Sequence, residues 1–272
     1  MDKHITLIDA HVHIRHGFDP AAVLDAALEH FARCADQLGA QTCDGVLMLS
    51  ESAGEHAFER LAGRDHPIGR WRFEAAPESC ALPAERDDAQ RLLIVQGQQI
   101  ATADRLEVLT LACDERIDDG LSIAETLNRA LDMDAITVLP WGFGKWTGQR
   151  RSLMLKLIRD FGPRGVAIGD SAGRPRGLPA GPIFREAIRL GLPILPGTDP
   201  LPIASHERRA GKFALALPGR LDRAAPAADL RHRLRAGSGG VVIGNRDGPL
   251  AAIASQLRLR LEQNSTRSDN ER

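Results

Sequence analysis

The sequence predicts a single α/β domain, a distorted parallel barrel of about seven or eight βα units of the TIM type, with a β-rich insertion over residues 71–113. Three observations carry this reading. Short apolar runs alternate with amphipathic helical segments along most of the chain, which implies parallel strands joined by right-handed crossovers. A chain of 272 residues that is 43% hydrophobic can bury one substantial core. No internal repeat or low-complexity linker divides it, so residues 1–262 read as one domain and only the polar stretch 263–272 is set apart, as a disordered tail. An open doubly wound sheet is the alternative arrangement of the same units.

The elements follow in order. Ile5 to Ile8 is a buried strand running into Asp9-Ala-His-Val-His13. Asp19 and Pro20 then open a helix whose apolar residues Leu24, Leu28, Phe31, Ala35 and Leu38 recur at helical spacing until Gly39. Gly45 to Leu49 is a second strand, and a short helix ends near Leu61. Between Trp71 and Cys113, three strand-like runs separated by Pro77, Pro83, Ala103 and Asp104 make the β-rich excursion. Alternation resumes with helices at 122–131, 149–161, 182–190 and 249–261, and strands at 135–139, 166–168, 193–195 and 241–243; 213–217 is a looser apolar stretch.

Charge excludes some functions. Lys plus Arg number 35 against 36 Asp plus Glu, so no overall basic field exists to hold a nucleic acid or an anionic membrane. Aromatics are 4% with no tyrosine, which removes both a base-stacking platform and a phenolic acid. No run approaches the roughly 18 apolar residues of a membrane span, and no signal segment is recognisable. Cys34, Cys43, Cys80 and Cys113 lack paired spacing and read as reduced thiols of a cytoplasmic protein. The expected partner is a small molecule, with neither nucleic acid nor membrane involved; composition sets no oligomeric state.

In a barrel, chemistry belongs at the carboxyl ends of the strands. His11 and His13 sit there two residues apart, so both imidazoles can point to one side and hold one divalent cation. The alternative is a histidine pair hydrogen-bonding in a polar loop.

The segment ITLIDAHVHI resembles the opening strand of two metal-dependent hydrolase groups, the PHP (polymerase and histidinol phosphatase) phosphoesterases and the amidohydrolases. GLPILPGTDP resembles their late strand, which supplies a carboxylate ligand and would place it on Asp199. The middle segment IVQGQQIATADRLEVLTLA is similar to the PHP-like group, with departures. Gln98 or Gln99 stands where that group has a ligand Glu, Glu107 where it has a strand histidine, Leu139-Pro-Trp141 where it has His-Pro, and Pro200 where a histidine follows the final Asp. Between His66 and His206 there is no histidine, as an amidohydrolase would need. The resemblance therefore implies a three-ligand site, His11, His13 and Asp199, for zinc, manganese or iron, with one ion favoured over two.

Other strand-end residues complete the expected site. Lys145, in the loop WGFGKWTG, can neutralise an anion or, as a carbamate, bridge metals, while Trp141 can wall the ligand. Asp170 is a candidate further ligand or general base, Glu51 a candidate general base, and Arg174 and Arg246 candidate anion contacts. The basic runs at 207–209 and 231–235 read as solvated helix faces. The function expected is a metal-dependent hydrolase acting on a small anionic substrate, phosphoester ahead of amide; the alternative is a barrel that has lost catalysis and keeps a ligand-binding or regulatory role.

Overall fold

The structure, a computed structural model, describes residues 4–237 and 239–270, with side-chain surroundings to residue 262. Its strands are β1 (His4–Val12), β2 (Thr42–Leu49), β3 (Trp71–Phe73), β4 (Ala81–Arg86), β5 (Arg91–Val95), β6 (Gly97–Ala101), β7 (Glu107–Leu111), β8 (Ile136–Pro140), β9 (Ala167–Ser171), β10 (Ile194–Gly197), β11 (Phe213–Pro218) and β12 (Val241–Gly244). The helices are α1 (Pro20–Gln37), α2 (Ala57–Ala62), α3 (Ile123–Asp132), α4 (Gly148–Phe161), α5 (Pro182–Arg189), α6 (Pro226–Arg235) and α7 (Pro249–Asn270). Helix starts obey local chemistry: Asp19 accepts from the Ala21 N–H ahead of α1, and Ser122 from the Glu125 N–H ahead of α3.

The expected closed parallel barrel does not form. The strands make two mixed sheets, one of seven in the order β12-β11-β1-β2-β5-β4-β3 and one of five in the order β10-β9-β8-β7-β6. The excursion at 71–113 is no insertion on a barrel. Its strands are members of both sheets, and they pair antiparallel in β3–β4, β4–β5, β6–β7 and β7–β8. The apolar stretch at 213–217 is β11, which lies antiparallel beside β1 where a parallel barrel needs a parallel neighbour. The chain passes from one sheet to the other at Gln96-Gly97. A Cβ on Gly97 would stand 2.5 Å from Leu49 O and 2.6 Å from Thr110 O, so only glycine fits that crossing.

The layers are set by alternation along the strands. Helix α1 covers one face of the larger sheet through Val23, Leu24 and Phe31 against Leu7, Leu47 and Ile94. The two sheets bury Ile8, Val46, Val95, Leu109, Val138 and Leu195 between them. Helices α3, α4 and α5 cover the far side of the smaller sheet. The sheets touch through an isolated parallel bridge between Glu51 and Gln98 and a bond from the Asp199 N–H to the His11 carbonyl (2.8 Å), without a continuous ladder.

Helix α7 continues to Asn270, into the segment whose composition reads as a disordered tail. No helix among the described residues is long and apolar enough to cross a membrane. All four cysteines are free thiols.

Candidate metal centre

The site is built at the carboxyl end of β1, where the pairing with β2 shifts register between Asp9 and Val12. Before that irregularity Ile5 and Leu7 face α1; after it Val12 and Ile14 do. The shift changes which side the odd-numbered residues face, and so turns His11 and His13 away from the α1 layer. The loop after β10 delivers the third group. Gly197 lies so close to β1 that a Cβ there would stand 2.4 Å from the His11 Cβ. Thr198 is tied to Asp9 by its N–H (2.9 Å) and its hydroxyl (2.6 Å), and Asp199 follows with φ of 47°, a left-handed conformation unusual for a non-glycine residue.

His11 Nε2 and His13 Nε2 are 3.2 Å apart, and Asp199 Oδ1 is 3.5 Å from the first and 3.9 Å from the second. Ligands about 2.1 Å from a tetrahedral ion stand about 3.4 Å apart, so the spacing fits one divalent cation. Among the described residues this is the one group of at least three His, Cys, Asp or Glu ligand atoms converging in this way. Both histidines are buried, and burial takes His13 down to about 4, so it is neutral near pH 7. Its Nδ1 faces Glu55 Oε2 at 3.3 Å; an Nδ1–H donating there leaves the Nε2 lone pair aimed at the centre. Burial pushes the Glu55 carboxyl up, but the bond from His13, the charge of Arg15 (Nη1 at 2.8 Å) and the Ser52 N–H (2.9 Å) prevail and hold it ionised. Burial likewise raises Asp199, and His11, His13 and Arg15 outweigh it, so its carboxyl lies below its ordinary value; Ser171 Oγ donates to its Oδ2 at 3.2 Å.

Asp9 is wholly buried beneath the histidines and binds no ligand position. Burial raises its carboxyl to about 7 against hydrogen bonds from Thr198, the Gly211 N–H and the His11 N–H, and it fastens β1 to the β10 and β11 loops.

The remaining candidates divide. Gln99 Oε1 is 3.0 Å from His11 Nε2, whereas Gln98 turns away and clips the backbone of Ile117 at both ends of its amide. The side chain beside His11 is thus a neutral amide. Lys145 and Trp141 line the cleft above the triad, about 410 Å³ in volume, and Lys145 is ion-paired there with Glu107. A Cβ on Gly142 would meet the Lys145 stem at 2.6 Å, so the glycine lets the lysine lie across its own loop. Its Nζ is engaged by the Glu107 carboxylate.

Asp170 is held by a two-pronged bond from Arg174 (2.7 Å each), whose guanidinium also lies 4.6 Å from the Phe184 ring. Glu51 accepts from the Phe58 N–H (2.7 Å) at the start of α2 and from Arg116 (3.3 Å). Arg246 Nη1 is buried without a hydrogen-bond partner among the described residues; burial and the charge of Arg174 lower its pKa. None of these four side chains lines the cleft. Among those that do, Arg15, Ser171, His206, Arg209 and Asp247 were not singled out by sequence. The basic runs are not solvated faces throughout, since Arg209 pairs with Asp247, Arg231 bonds the Ala112 carbonyl, and Arg235 pairs with Asp134.

Fold and site together define an α/β protein of two mixed sheets with a candidate one-ion centre on a strand edge. No family model matches the chain, and no curated protein matches it. Among solved structures it is similar to PsfC from Pseudomonas syringae PB-5123, at 17% identity and a TM-score of 0.58, over 94% of this chain and 98% of that one. This likeness is one of fold. Two endonuclease structures also match at 13% identity: endonuclease Q in complex with a 27-mer duplex carrying an abasic lesion (TM-score 0.48) and the lesion-specific PfuEndoQ from Pyrococcus furiosus (0.49). They cover 87% and 88% of this chain, which spans 58% and 57% of theirs. Net charge does not exclude a nucleic acid partner, contrary to the expectation from composition. A net charge of −1 averages over the whole surface and says nothing of a local patch. At these TM-scores the endonucleases lend this chain no substrate.

Proposed function

We propose that the chain is a metal-dependent hydrolase of PHP-like kinship, acting on a small anionic substrate, with phosphoester ahead of amide. The observation that carries this reading is the convergence of His11, His13 and Asp199 on one point, with Asp199 and Gln99, both beside His11, lining a cleft that also holds Arg15, Lys145 and Arg209. A divalent ion bound there supplies Lewis acidity, polarising a phosphoryl or carbonyl oxygen and acidifying water.

The chain's own groups do the rest. Glu55 fixes the His13 tautomer, Ser171 and the left-handed turn fix Asp199, and Gln99 gives the floor a neutral acceptor beside His11. Arg15 and Lys145 stand ready to exchange their carboxylate partners for substrate oxygens, and Glu107, freed from Lys145, is the cleft carboxylate able to take a proton. That role passes to Glu107 because Asp170 and Glu51 are committed to Arg174 and to α2. The neutral Gln99 favours one ion over two.

A second reading, a ligand-binding protein without turnover, draws on that amide and on the absence of an unpaired carboxylate beside the triad among the described residues. The test is a screen of phosphomonoesters, phosphodiesters and amides with manganese, zinc or iron added, for wild type and Asp199→Ala. Phosphoester hydrolysis lost in the variant is expected. Turnover of amides alone reverses the substrate order, and turnover undiminished in Asp199→Ala places the reaction elsewhere.

A further inference from the structure

The cleft wall carries a second cluster that the metal floor does not use. Arg209 ends the 3-10 turn Ala204–Arg209 with its side chain 13% exposed, against 61% for its neighbour Arg208. Its Nη1 lies against the His206 ring (3.1 Å from Nδ1, 2.9 Å from Nε2), and its Nη2 pairs with Asp247 Oδ1, which also receives Lys212 Nζ at 3.2 Å. His206 is fixed in place: the Leu201 N–H donates to Nδ1 (3.0 Å) and Nε2 bonds Ser255 Oγ (3.1 Å). Burial takes it down to about 4, so it adds no charge near neutrality. Two cations therefore share one carboxylate, leaving one positive charge over in a partly dehydrated wall, where it attracts an anion more strongly than in water. The other oxygen of Asp247, a residue 3% exposed, is buried with no hydrogen-bond partner among the described residues. An orphaned acceptor of this kind calls for a donor.

We infer that Arg209, His206 and Asp247 form a second recognition subsite, in which Arg209 takes a carboxylate or phosphate group and Asp247 Oδ2 accepts from a hydroxyl beside it. Resting on the reading of the floor as a metal site, this narrows the substrate to a small hydroxylated acid or its phosphate ester, bound at one end by the ion and at the other by Arg209. Arg209 is a specificity residue here, since it binds the end of the substrate that does not react.

The test separates the two ends of the cleft. Phosphate, glycolate and acetate are titrated by calorimetry into the full-length protein stripped of metal, using wild type, Arg209→Gln, Arg209→Lys, Asp247→Asn and the double variant His11→Ala/His13→Ala, and zinc is titrated separately into each. Phosphate and glycolate are expected to bind wild type and the double variant alike. Arg209→Gln should weaken both by about tenfold or more, and Arg209→Lys by less, with zinc affinity unchanged in each. Asp247→Asn should erase the preference for glycolate over acetate. Arg209→Lys keeps the charge on Asp247, so the outcome does not hang on the folding of one variant. Anion binding lost in the double histidine variant yet kept in Arg209→Gln would overturn the subsite, as would no millimolar binding to stripped wild type. Zinc that fails to bind wild type would instead overturn the metal reading and leave the subsite standing.

Discussion

Asp170 and Asp199 end adjacent strands of one sheet, with Asp170 paired to Pro196 and Ser171 to Gly197 in the β9–β10 register. Both are carboxylates at the edge where chemistry belongs, yet only one reaches the cleft. In β9 the alternation sends Ser171 toward the site, as donor to Asp199, and Asp170 to the other side, where Arg174 closes on it. In β10 the strand stops at Gly197, and the left-handed turn of Asp199 swings its carboxylate over His11. Edge position is legible from where an apolar run ends; which face a residue takes depends on register and on where the strand breaks.

The largest effect expected from breaking this contrast is Gly197→Ala. Its new Cβ would lie 2.4 Å from the His11 Cβ and 2.5 Å from the His11 N, both on β1, an interior strand of the larger sheet, so unfolding should be easier by about 3 kcal/mol and zinc binding should fail. The matching change on the Asp170 side, Gly169→Ala, meets Pro140 Cα at 3.0 Å and should cost clearly less. Denaturant melts of the two check this, and equal losses would remove the special role of the β1–β10 contact.

Next come the two carboxylates themselves. Asp170→Asn strips the charge from an almost buried pair and should destabilise the fold by about 3 kcal/mol while leaving zinc affinity intact. Asp199→Asn should do the reverse, costing zinc affinity 100-fold or so with little change in apo stability. A smaller effect is expected of Glu55→Gln, which keeps the shape but weakens the hold on His13 Nδ1–H, with zinc affinity falling about 10- to 100-fold. The smallest is a pH effect at His206. Its folded value, about 4, lies below its ordinary 6.5, so the unfolded chain takes up the proton first. Stability is then fully present above pH 6.5 and is lost as pH falls toward 4, by about 1–3 kcal/mol, and His206→Asn should flatten that part of the profile.

Much of this was legible in the sequence for identifiable reasons. The helices at 20–37 and 123–132 announce themselves by caps and spacing, and His11 and His13 by an apolar run ending in a two-residue repeat. The closed barrel was a false expectation because apolar periodicity gives a strand's existence and not its partner's direction. Nothing in FALALP says it will lie antiparallel to β1, and nothing but Gly97 hints that RLLIVQGQQI is two strands in two sheets. Glu55, Arg209 and Asp247 escaped notice because their roles arise from contacts far along the chain, such as the 42 residues separating His13 from Glu55. Between Gln98 and Gln99, only the observed register decides which faces His11.

Whether His11, His13 and Asp199 hold one divalent ion is decided by the metal content per chain. Wild type purified without added metal, then supplemented with manganese, zinc or iron and desalted, is measured by elemental analysis beside His11→Ala/His13→Ala and Asp170→Asn. About one ion per chain is expected in wild type and in Asp170→Asn, and none in the double histidine variant. A wild type that holds no metal after supplementation, or a double variant that keeps it, would rule out an ion held by these three residues.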